Sequence, residues 1–477
     1  MPLILINERM FKVLLINPPY LFNASAAKVT HLAMEKKPSL NVLYLATYLK
    51  MHTDFEVKII DAELEKMIEE QIRRVVVDFN PDVVGISVVS FKIYPVYRLL
   101  KIIKSISEKI HICLGGPHLK IYPKETLDFS EVDSIVIGDG EIPFFKICHN
   151  LSVGESVNDI EGVYTRNNLP IDGVFKKFET HDLNILPIPD LALLDYKKYR
   201  SFLTDEPLAT SVTSRGCPYN CIFCQLDQKV RLRSIDHVLQ EIESYLKLGV
   251  KEIEFYDETF NISTQRVIEF ADKIIERGWK FRWSFRGRVN MVSEEMLVKI
   301  KKAGCQRIQY GVEAGSDKTL NTIKKGINTA MIKSCFELTR RAGIETVAYF
   351  MIGNPGETRQ DILDTINFAK KIKADYVNFA VFLLVPGVEV YRDALNKKII
   401  LQDYWLDYVK NPQEKLPMVF WEEIISREEL FKLRGLAIRK FYFRFNYIFY
   451  ALKRINLKNL RGYWKGFYSM LFDILNG

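Results

Sequence analysis

The sequence predicts an α/β chain: a doubly wound parallel-sheet domain, then a partial barrel of six β-α units, then a helical C-terminal region. Three observations predict it. Short apolar runs alternate with amphipathic stretches over residues 10–150, the rhythm lapses over 151–207, and it resumes from 208 with six strand-like runs, the first followed at once by a loop carrying three cysteines. At roughly 150 residues per domain the 477 residues allow about three domains. The expected divisions are 10–150, a connector over 151–207, a barrel over 208–395 and a helical region over 396–477.

In the first division apolar runs fall at 13–16, 43–49, 57–60, 68–77, 83–89, 97–106, 110–114 and 134–137. This β-α-β-α order implies a Rossmann-like parallel sheet covered on both faces, in which ligands sit beyond the carboxyl ends of the strands. The residues that follow the strands are therefore the informative ones: Asn17-Pro18-Pro19, Ser87 to Ser90, Gly115-Gly116-Pro117 and Gly138-Asp139-Gly140-Glu141. Glycines there let backbone approach a bulky ligand, or serve ordinary tight βα turns. In Leu186-Pro187-Ile188-Pro189-Asp190 each proline biases its predecessor away from helix, so an extended connector is expected.

The barrel strands are expected at 209–213, 253–256, 281–285, 307–312, 346–351 and 376–384. Between them, Val238, Ile242 and Leu246 share one helical face, as do Val267, Phe270 and Ile274, and Gly249 and Gly278 close these helices. In the tail, Phe441, Tyr442, Phe443, Phe445, Tyr447, Phe449 and Tyr450 interleave with Arg439, Lys440, Arg444 and Lys453. The aromatics fall all round the helix. Packing against the rest of the chain is the first expectation, with peripheral membrane contact and nucleic acid as alternatives.

Composition narrows the classes. With 48% hydrophobic and 26% charged residues, the chain is neither disordered nor a small disulfide scaffold. No run of about 18 apolar residues occurs, and the apolar start is broken by Asn7, Glu8 and Arg9, so neither a membrane span nor a secretory signal is expected. Against 59 acidic residues, 67 basic ones are a mild excess, and no nucleic-acid partner is expected. Seven cysteines, three of them within eight residues, suit metal ligation in a reducing compartment; the expected location is the cytoplasm.

The strongest motif is Ser214-Arg215-Gly216-Cys217-Pro218-Tyr219-Asn220-Cys221-Ile222-Phe223-Cys224, with spacing Cys-x3-Cys-x2-Cys. Three thiolates on a short loop can hold three irons of a 4Fe-4S cluster, whereas structural zinc asks for a fourth ligand at matched spacing. Cys305 and Cys335 lie about 80 to 110 residues downstream, outside that spacing. The iron left without a protein ligand is open to a substrate or cofactor.

The motif, with the six β-α units around it, resembles the radical S-adenosylmethionine superfamily. The resemblance implies Cys217, Cys221 and Cys224 as cluster ligands and Phe223 as the aromatic before the last cysteine. It implies that the methionine moiety chelates the open iron and that the cluster's electron cleaves the sulfonium to a 5′-deoxyadenosyl radical. Asp257 and Glu258 stand where many members carry the glutamate that holds the methionine ammonium, and which of the two acts stays open; a solvated acidic turn is the other reading. Phe285-Arg286-Gly287-Arg288 ends the third strand, and an arginine there, with Arg286 as the candidate, can pair with the methionine carboxylate. Glu313 and Ser316, in Tyr310-Gly311-Val312-Glu313-Ala314-Gly315-Ser316, match the segment whose glutamate contacts S-adenosylmethionine, and Gly353 opens the loop expected near the adenine.

A doubly wound domain ahead of such a barrel resembles the cobalamin-binding subfamily, which includes class B methyltransferases and anaerobic magnesium-protoporphyrin monomethyl ester cyclases. Asn17, Ser87, Gly115 and Gly116 are then the cobalamin-binding candidates. The Asp-x-His-x-x-Gly motif of other cobalamin domains is missing, so cobalt is expected to lack a histidine ligand; His118 and His31 are the nearest histidines and read as surface or turn residues. The implied function is methyl transfer to an unactivated carbon through radical hydrogen abstraction and methylcobalamin, the alternative being oxidative cyclisation or rearrangement without methyl transfer. The implied cofactors are the 4Fe-4S cluster, S-adenosylmethionine and cobalamin. The implied partners are a small-molecule, lipid or peptide substrate and a flavodoxin or ferredoxin reductant, under anaerobic conditions.

Overall fold

The computed structural model describes residues 9–20, 37–201, 206–225, 227–454 and 464. Its strands are β1 (Lys12–Asn17), β2 (Glu56–Asp61), β3 (Val83–Ser87), β4 (His111–Gly115), β5 (Ser134–Val136), β6 (Val163–Tyr164) and β7 (Leu208–Ser211). They continue with β8 (Ser214–Arg215), β9 (Arg231–Leu232), β10 (Glu252–Phe255), β11 (Arg282–Gly287), β12 (Cys305–Glu313), β13 (Glu345–Ile352) and β14 (Tyr376–Val381). Two units result. One takes in residues 9–20, Pro38–Asp195 and Trp405–Pro417; the other takes in Lys37, Tyr196–Tyr404 and the described residues from Met418 onward.

In the first unit the sheet order is β2-β1-β3-β4-β5-β6, parallel throughout except for β6, which runs antiparallel to β5. Val13, Leu14, Leu15 and Ile16 are all fully buried, as a central parallel strand covered on both faces requires. Helices Leu40–His52 and Glu141–Ser152 supply Val42, Ala46, Leu49, Phe144 and Ile147 to the core against Val13, Leu15 and Val83. The chain leaves β1 toward β2 on one side and returns to β3 on the other. The carboxyl ends of β1 and β3 therefore flank the point where strand order reverses, where open α/β sheets bind ligands. Asn17 and Ser87 stand there, with Gly115 at the end of the next strand.

In the second unit six parallel strands follow the order β14-β13-β12-β11-β10-β7. The helices that cover them start at polar caps: the side chains of Ser234, Ser263, Ser293, Ser316, Asn328 and Thr358 each accept from the backbone N–H three residues on. The helix-facing side of the sheet is aromatic, with Phe255, Phe260, Phe270, Trp283 and Phe285 in edge and tilted contact. The opposite side is polar. There Gln309 donates to Glu254 at 2.8 Å and accepts from the Tyr349 hydroxyl at 2.9 Å, and Lys37 pairs with Glu254 at 2.6 Å.

Part of the tail's aromatic run packs against β14 and its neighbours. Phe441 is fully buried, Tyr442 exchanges hydrogen bonds with the backbone of Val377, and the Tyr447 hydroxyl donates to the Asp375 carbonyl at 2.9 Å. Phe443, Phe445 and Phe449 are exposed. Among the described residues no helix is long and apolar enough to cross a membrane.

Candidate active site

The three-cysteine loop is bracketed by β8 and β9, which pair antiparallel through Ser214–Leu232 and Arg215–Arg231. Gly216, at φ +92°, opens it; a Cβ there would lie 2.2 Å from the carbonyl of Lys229, so only glycine fits. The Cys217 N–H donates to Asp227 O at 2.8 Å. Ile222 ties the loop's far side to the helices that follow β12 and β14: its N–H donates to Ile323 O, at the end of helix Asp317–Thr322, at 3.3 Å, and its carbonyl accepts from Val390 N, in the first turn of helix Glu389–Asn396, at 3.1 Å. The loop is thereby held at the carboxyl ends of the strands, where barrels of this kind carry chemistry.

The two adjacent carboxylates have different jobs. Asp257 is fully buried and accepts from the Thr213 N–H at 3.1 Å, the Thr213 hydroxyl at 2.7 Å and the Ser214 hydroxyl at 2.5 Å. Burial raises its carboxyl above the usual range while these donors pull it back. Its oxygens are spent on joining β10 to the root of the cysteine loop. Glu258 is exposed; desolvation against the loop raises its carboxyl, and a backbone hydrogen bond from Gly216 opposes this. Thr259 meets the Cys217 sulfur at 3.4 Å.

The two arginines of the third strand end also diverge. Arg286 is exposed on the polar side, with its guanidinium 4.0 Å from the Tyr256 ring centroid. Arg288 is buried: it stacks 3.5 Å over the Tyr219 ring centroid, donates to the Lys325 carbonyl, and brings Nη1 to 3.9 Å from the Cys221 sulfur.

Glu313 pairs with Lys325 at 2.7 Å, both side chains about nine-tenths buried. Glu313 adopts φ +66° at a register shift between β12 and β13, and a Cβ on Gly311 would lie 2.4 Å from its Oε1. Ser316 caps helix Asp317–Thr322, accepting from Thr319 N at 3.2 Å. At the end of β13, Gly353 N and Asn354 N donate to Glu357 Oε2 at 2.7 and 2.9 Å. Glu357 Oε1 and Asn354 Oδ1 are buried with no hydrogen-bond partner among the described residues, and burial pushes the Glu357 carboxyl up to about 7.

The donor set fits an iron-sulfur cluster. All three cysteines are free thiols, graded from buried Cys217 to exposed Cys224. Burial and the neighbouring Cys221 and Cys217 push Cys224 up to about 11, so the three sulfurs share one electrostatic neighbourhood. Among the described residues no three ligand side chains converge as around a single ion. A cubane spreads its thiolates over separate irons and asks for no such convergence.

In the first unit, Asn17 donates to Asp61 at 2.9 Å, and Asp61 caps the following helix through Leu64 N at 3.0 Å. Ser87 accepts from Asn41 at 3.3 Å, and Lys92 donates to Pro18 O at 3.0 Å while pairing with Glu63. Among the described residues a Cβ on Gly115 would meet nothing within 4 Å, whereas Gly116, at φ +112°, would place one 2.5 Å from Val88 O. Open space beside Gly115 and close backbone approach at Gly116 suit the tail of a large ligand lying past the strand ends. His118 is not at the surface: it is 1% exposed, its Nδ1 is 2.9 Å from Ser90 Oγ, and burial lowers it to about 4. His31 lies outside the described residues.

Comparison with known proteins agrees with this geometry. The radical SAM superfamily matches residues 211–369, and the B12 binding domain matches residues 33–147. An uncharacterized methyltransferase of Pyrococcus horikoshii is 30% identical over 443 residues, 91% of this chain and 93% of the relative. The chain belongs to the radical SAM superfamily, among the members that carry a B12-binding domain. The anaerobic magnesium-protoporphyrin IX monomethyl ester cyclase of Rubrivivax gelatinosus is 27% identical over 82% of this chain and 71% of its own. In fold, the chain is similar to the cobalamin-dependent S-adenosylmethionine radical enzyme OxsB with aqua-cobalamin and S-adenosylmethionine bound (TM-score 0.71, 17% identity, 98% of this chain and 72% of that one). It is also similar to the methyltransferase TsrM from Kitasatospora setae (TM-score 0.66, 18% identity, 81% of this chain and 76% of that one).

As a radical SAM enzyme with a B12-binding domain, the chain uses a 4Fe-4S cluster, S-adenosylmethionine and cobalamin. Sequence reasoning passed over Arg288, Lys325 and Glu357 as site residues. Arg288 lies two residues past Arg286 and Glu357 four past Gly353, and nothing local in the sequence sets either apart. Lys325 carries no motif; only the fold brings it to Glu313.

Proposed function

We propose that this enzyme transfers a methyl group from methylcobalamin to an unactivated carbon of a small-molecule substrate. What supports the reading is the pairing of the three-cysteine loop with a B12-binding domain in one chain, and a relative called a methyltransferase that matches over 91% of it. When bound, the cluster and S-adenosylmethionine supply a hydrogen-abstracting radical, and cobalamin supplies the methyl group.

The chain's own residues bind and orient. Cys217, Cys221 and Cys224 hold three irons. Glu258, whose carboxylate is not consumed as that of Asp257 is, takes the methionine ammonium, and Arg286 takes the carboxylate. Glu313, steadied by Lys325 and followed by the Ser316 cap, serves the ribose side; the Gly353 loop, held by Glu357, serves the adenine. Asn17, Ser87, Gly115 and Gly116 seat cobalamin.

Gln309, Tyr349 and Glu254 on the polar side of the second sheet favour a substrate with hydrogen-bonding groups over an apolar lipid, because an alkyl chain would take water from those polar groups and return no hydrogen bond. The electron comes from a flavodoxin or ferredoxin in the cytoplasm. Peripheral membrane contact through Phe445 and Phe449 is the remaining alternative, and co-sedimentation with anionic vesicles reads it.

A second reading, cyclisation without methyl transfer, is favoured by the 82% coverage against the magnesium-protoporphyrin cyclase. Turnover with S-adenosylmethionine deuterated in its methyl group separates the two. Label in the product is the expected result; product without label replaces the first reading by the second.

A further inference from the structure

Arg288 stands just past β11 and is 5% exposed. Asn261 fixes its backbone, accepting from the Arg288 N–H at 2.9 Å and donating to the Arg288 carbonyl at 2.9 Å. The side chain is then held on three sides. Nε donates to Asn290 Oδ1 at 3.3 Å, Nη2 donates to the Lys325 carbonyl, and the guanidinium plane lies over Tyr219 within the cysteine loop. The remaining nitrogen, Nη1, is 3.9 Å from Cys221 Sγ.

This cation makes no ion pair among the described residues. Other buried cations of this unit do: Lys325, whose carbonyl Arg288 meets, is paired with Glu313, and Arg233 with Glu241. A buried, unpaired guanidinium is costly unless an anion faces it, and the group it faces is a cysteine sulfur of the cluster loop. Arginine is suited to the place, since its rigid fork can satisfy a carbonyl, an amide and a sulfur at once while its plane stacks on an aromatic ring.

We propose that Arg288 is a positioning residue for the cluster: it donates an N–H···S bond to the Cys221 thiolate and, as an uncompensated positive charge beside it, raises the cluster's reduction potential. The proposal rests on the assignment of Cys221 as an iron ligand. Hydrogen bonds to cluster sulfurs and nearby charge are principal determinants of iron-sulfur potentials, and both stabilise the form carrying the extra electron. Arg288 thus makes the cluster easier to reduce for a flavodoxin or ferredoxin donor.

The test uses the full chain, reconstituted anaerobically with iron, sulfide and cobalamin, as the unaltered protein, Arg288→Gln and Arg288→Lys. Iron and sulfide per chain are counted, folding is checked by circular dichroism, and the potential is read from the reduced-cluster EPR signal at a series of fixed potentials. Arg288→Gln is expected to load iron like the unaltered chain while its reduction equilibrium falls about tenfold, 59 mV more negative for a one-electron couple. Arg288→Lys, which keeps the charge and loses the fork, falls less. A fully loaded Arg288→Gln with an unchanged potential overturns the proposal. So does loss of iron from both folded variants, which assigns Arg288 to loop assembly alone. Failure of the unaltered chain to load iron is a different result, and removes the cysteine assignment itself.

Discussion

The hydroxyl of Thr213 donates to the carboxylate of Asp257 at 2.7 Å, joining the residue just past β7 to the one just past β10 at the root of the cysteine loop. Every group around Asp257 in this arrangement is a donor: the Thr213 N–H and the hydroxyls of Thr213 and Ser214. Asp257→Asn puts an amide NH2 among them and leaves at least one buried group unsatisfied, at a cost of about 1–3 kcal/mol. Urea unfolding checks the stability and iron per chain checks the loop. A variant that matches the parent in both would detach Asp257 from the loop's construction.

Gly116 tests the cobalamin assignment without touching the barrel. At φ +112°, with Val88 O 2.5 Å from any Cβ, Gly116→Ala must displace the turn that follows β4 from the Val88 segment that follows β3. The expected outcome is a loss of cobalt per chain by roughly tenfold or more, about 1.4 kcal/mol in binding, with iron unchanged. Equal cobalt in variant and parent would move the cofactor away from this turn.

The ion pair of Glu313 and Lys325 is buried on both sides, so removing one partner should cost more than removing both. Lys325→Met strands a buried carboxylate, with a loss of about 3–5 kcal/mol, and Glu313→Leu in the same chain recovers much of it. A double-variant cycle in urea measures the coupling; simple additivity would mean the pair is not formed.

Glu357 sets a pH dependence. Its carboxyl is pushed up from 4.5 to about 7 by burial, so the folded chain holds this proton more tightly than the unfolded chain does. The stability tied to it is therefore complete below about pH 4.5 and is lost as pH rises through about 7. Glu357→Gln removes the titration and replaces the unpartnered Oε1 by a donor. The variant should unfold later than the parent at pH 8, by about 1–3 kcal/mol, and the gap should close toward pH 4.5. Thermal unfolding across that range measures it, and parallel curves would show that Glu357 is not the titrating group.

How much of this was legible in the sequence follows from where the information lies. The alternation of buried runs is local, so the two sheets could be read from it, as could the six strands that carry the barrel. The cysteines declared themselves because three thiols at fixed spacing have few structural uses. What was not legible depended on partners distant in the chain. Whether Asp257 or Glu258 is the free carboxylate is decided by donors at Thr213 and Ser214, and the contrast between Arg286 and Arg288 is decided by Tyr219, Asn261 and Lys325. His118 read as a surface or turn histidine because a short turn gives no burial pattern; it lies buried against Ser90. The tail's aromatics fall all round the helix, a pattern that suits packing and membrane contact alike; Tyr442 and Tyr447 bond to the backbone of Val377 and Asp375, while Phe445 and Phe449 are exposed.

The central claim is that one chain uses an iron-sulfur cluster and a corrinoid together on one substrate. Anaerobic reconstitution with iron, sulfide and cobalamin, followed by metal counting and an assay for 5′-deoxyadenosine with dithionite and S-adenosylmethionine, tests it most directly. The account predicts about four irons and about one cobalt per chain, with 5′-deoxyadenosine formed. Iron with 5′-deoxyadenosine but no cobalt would contradict it, and would leave methyl transfer through methylcobalamin without its cofactor.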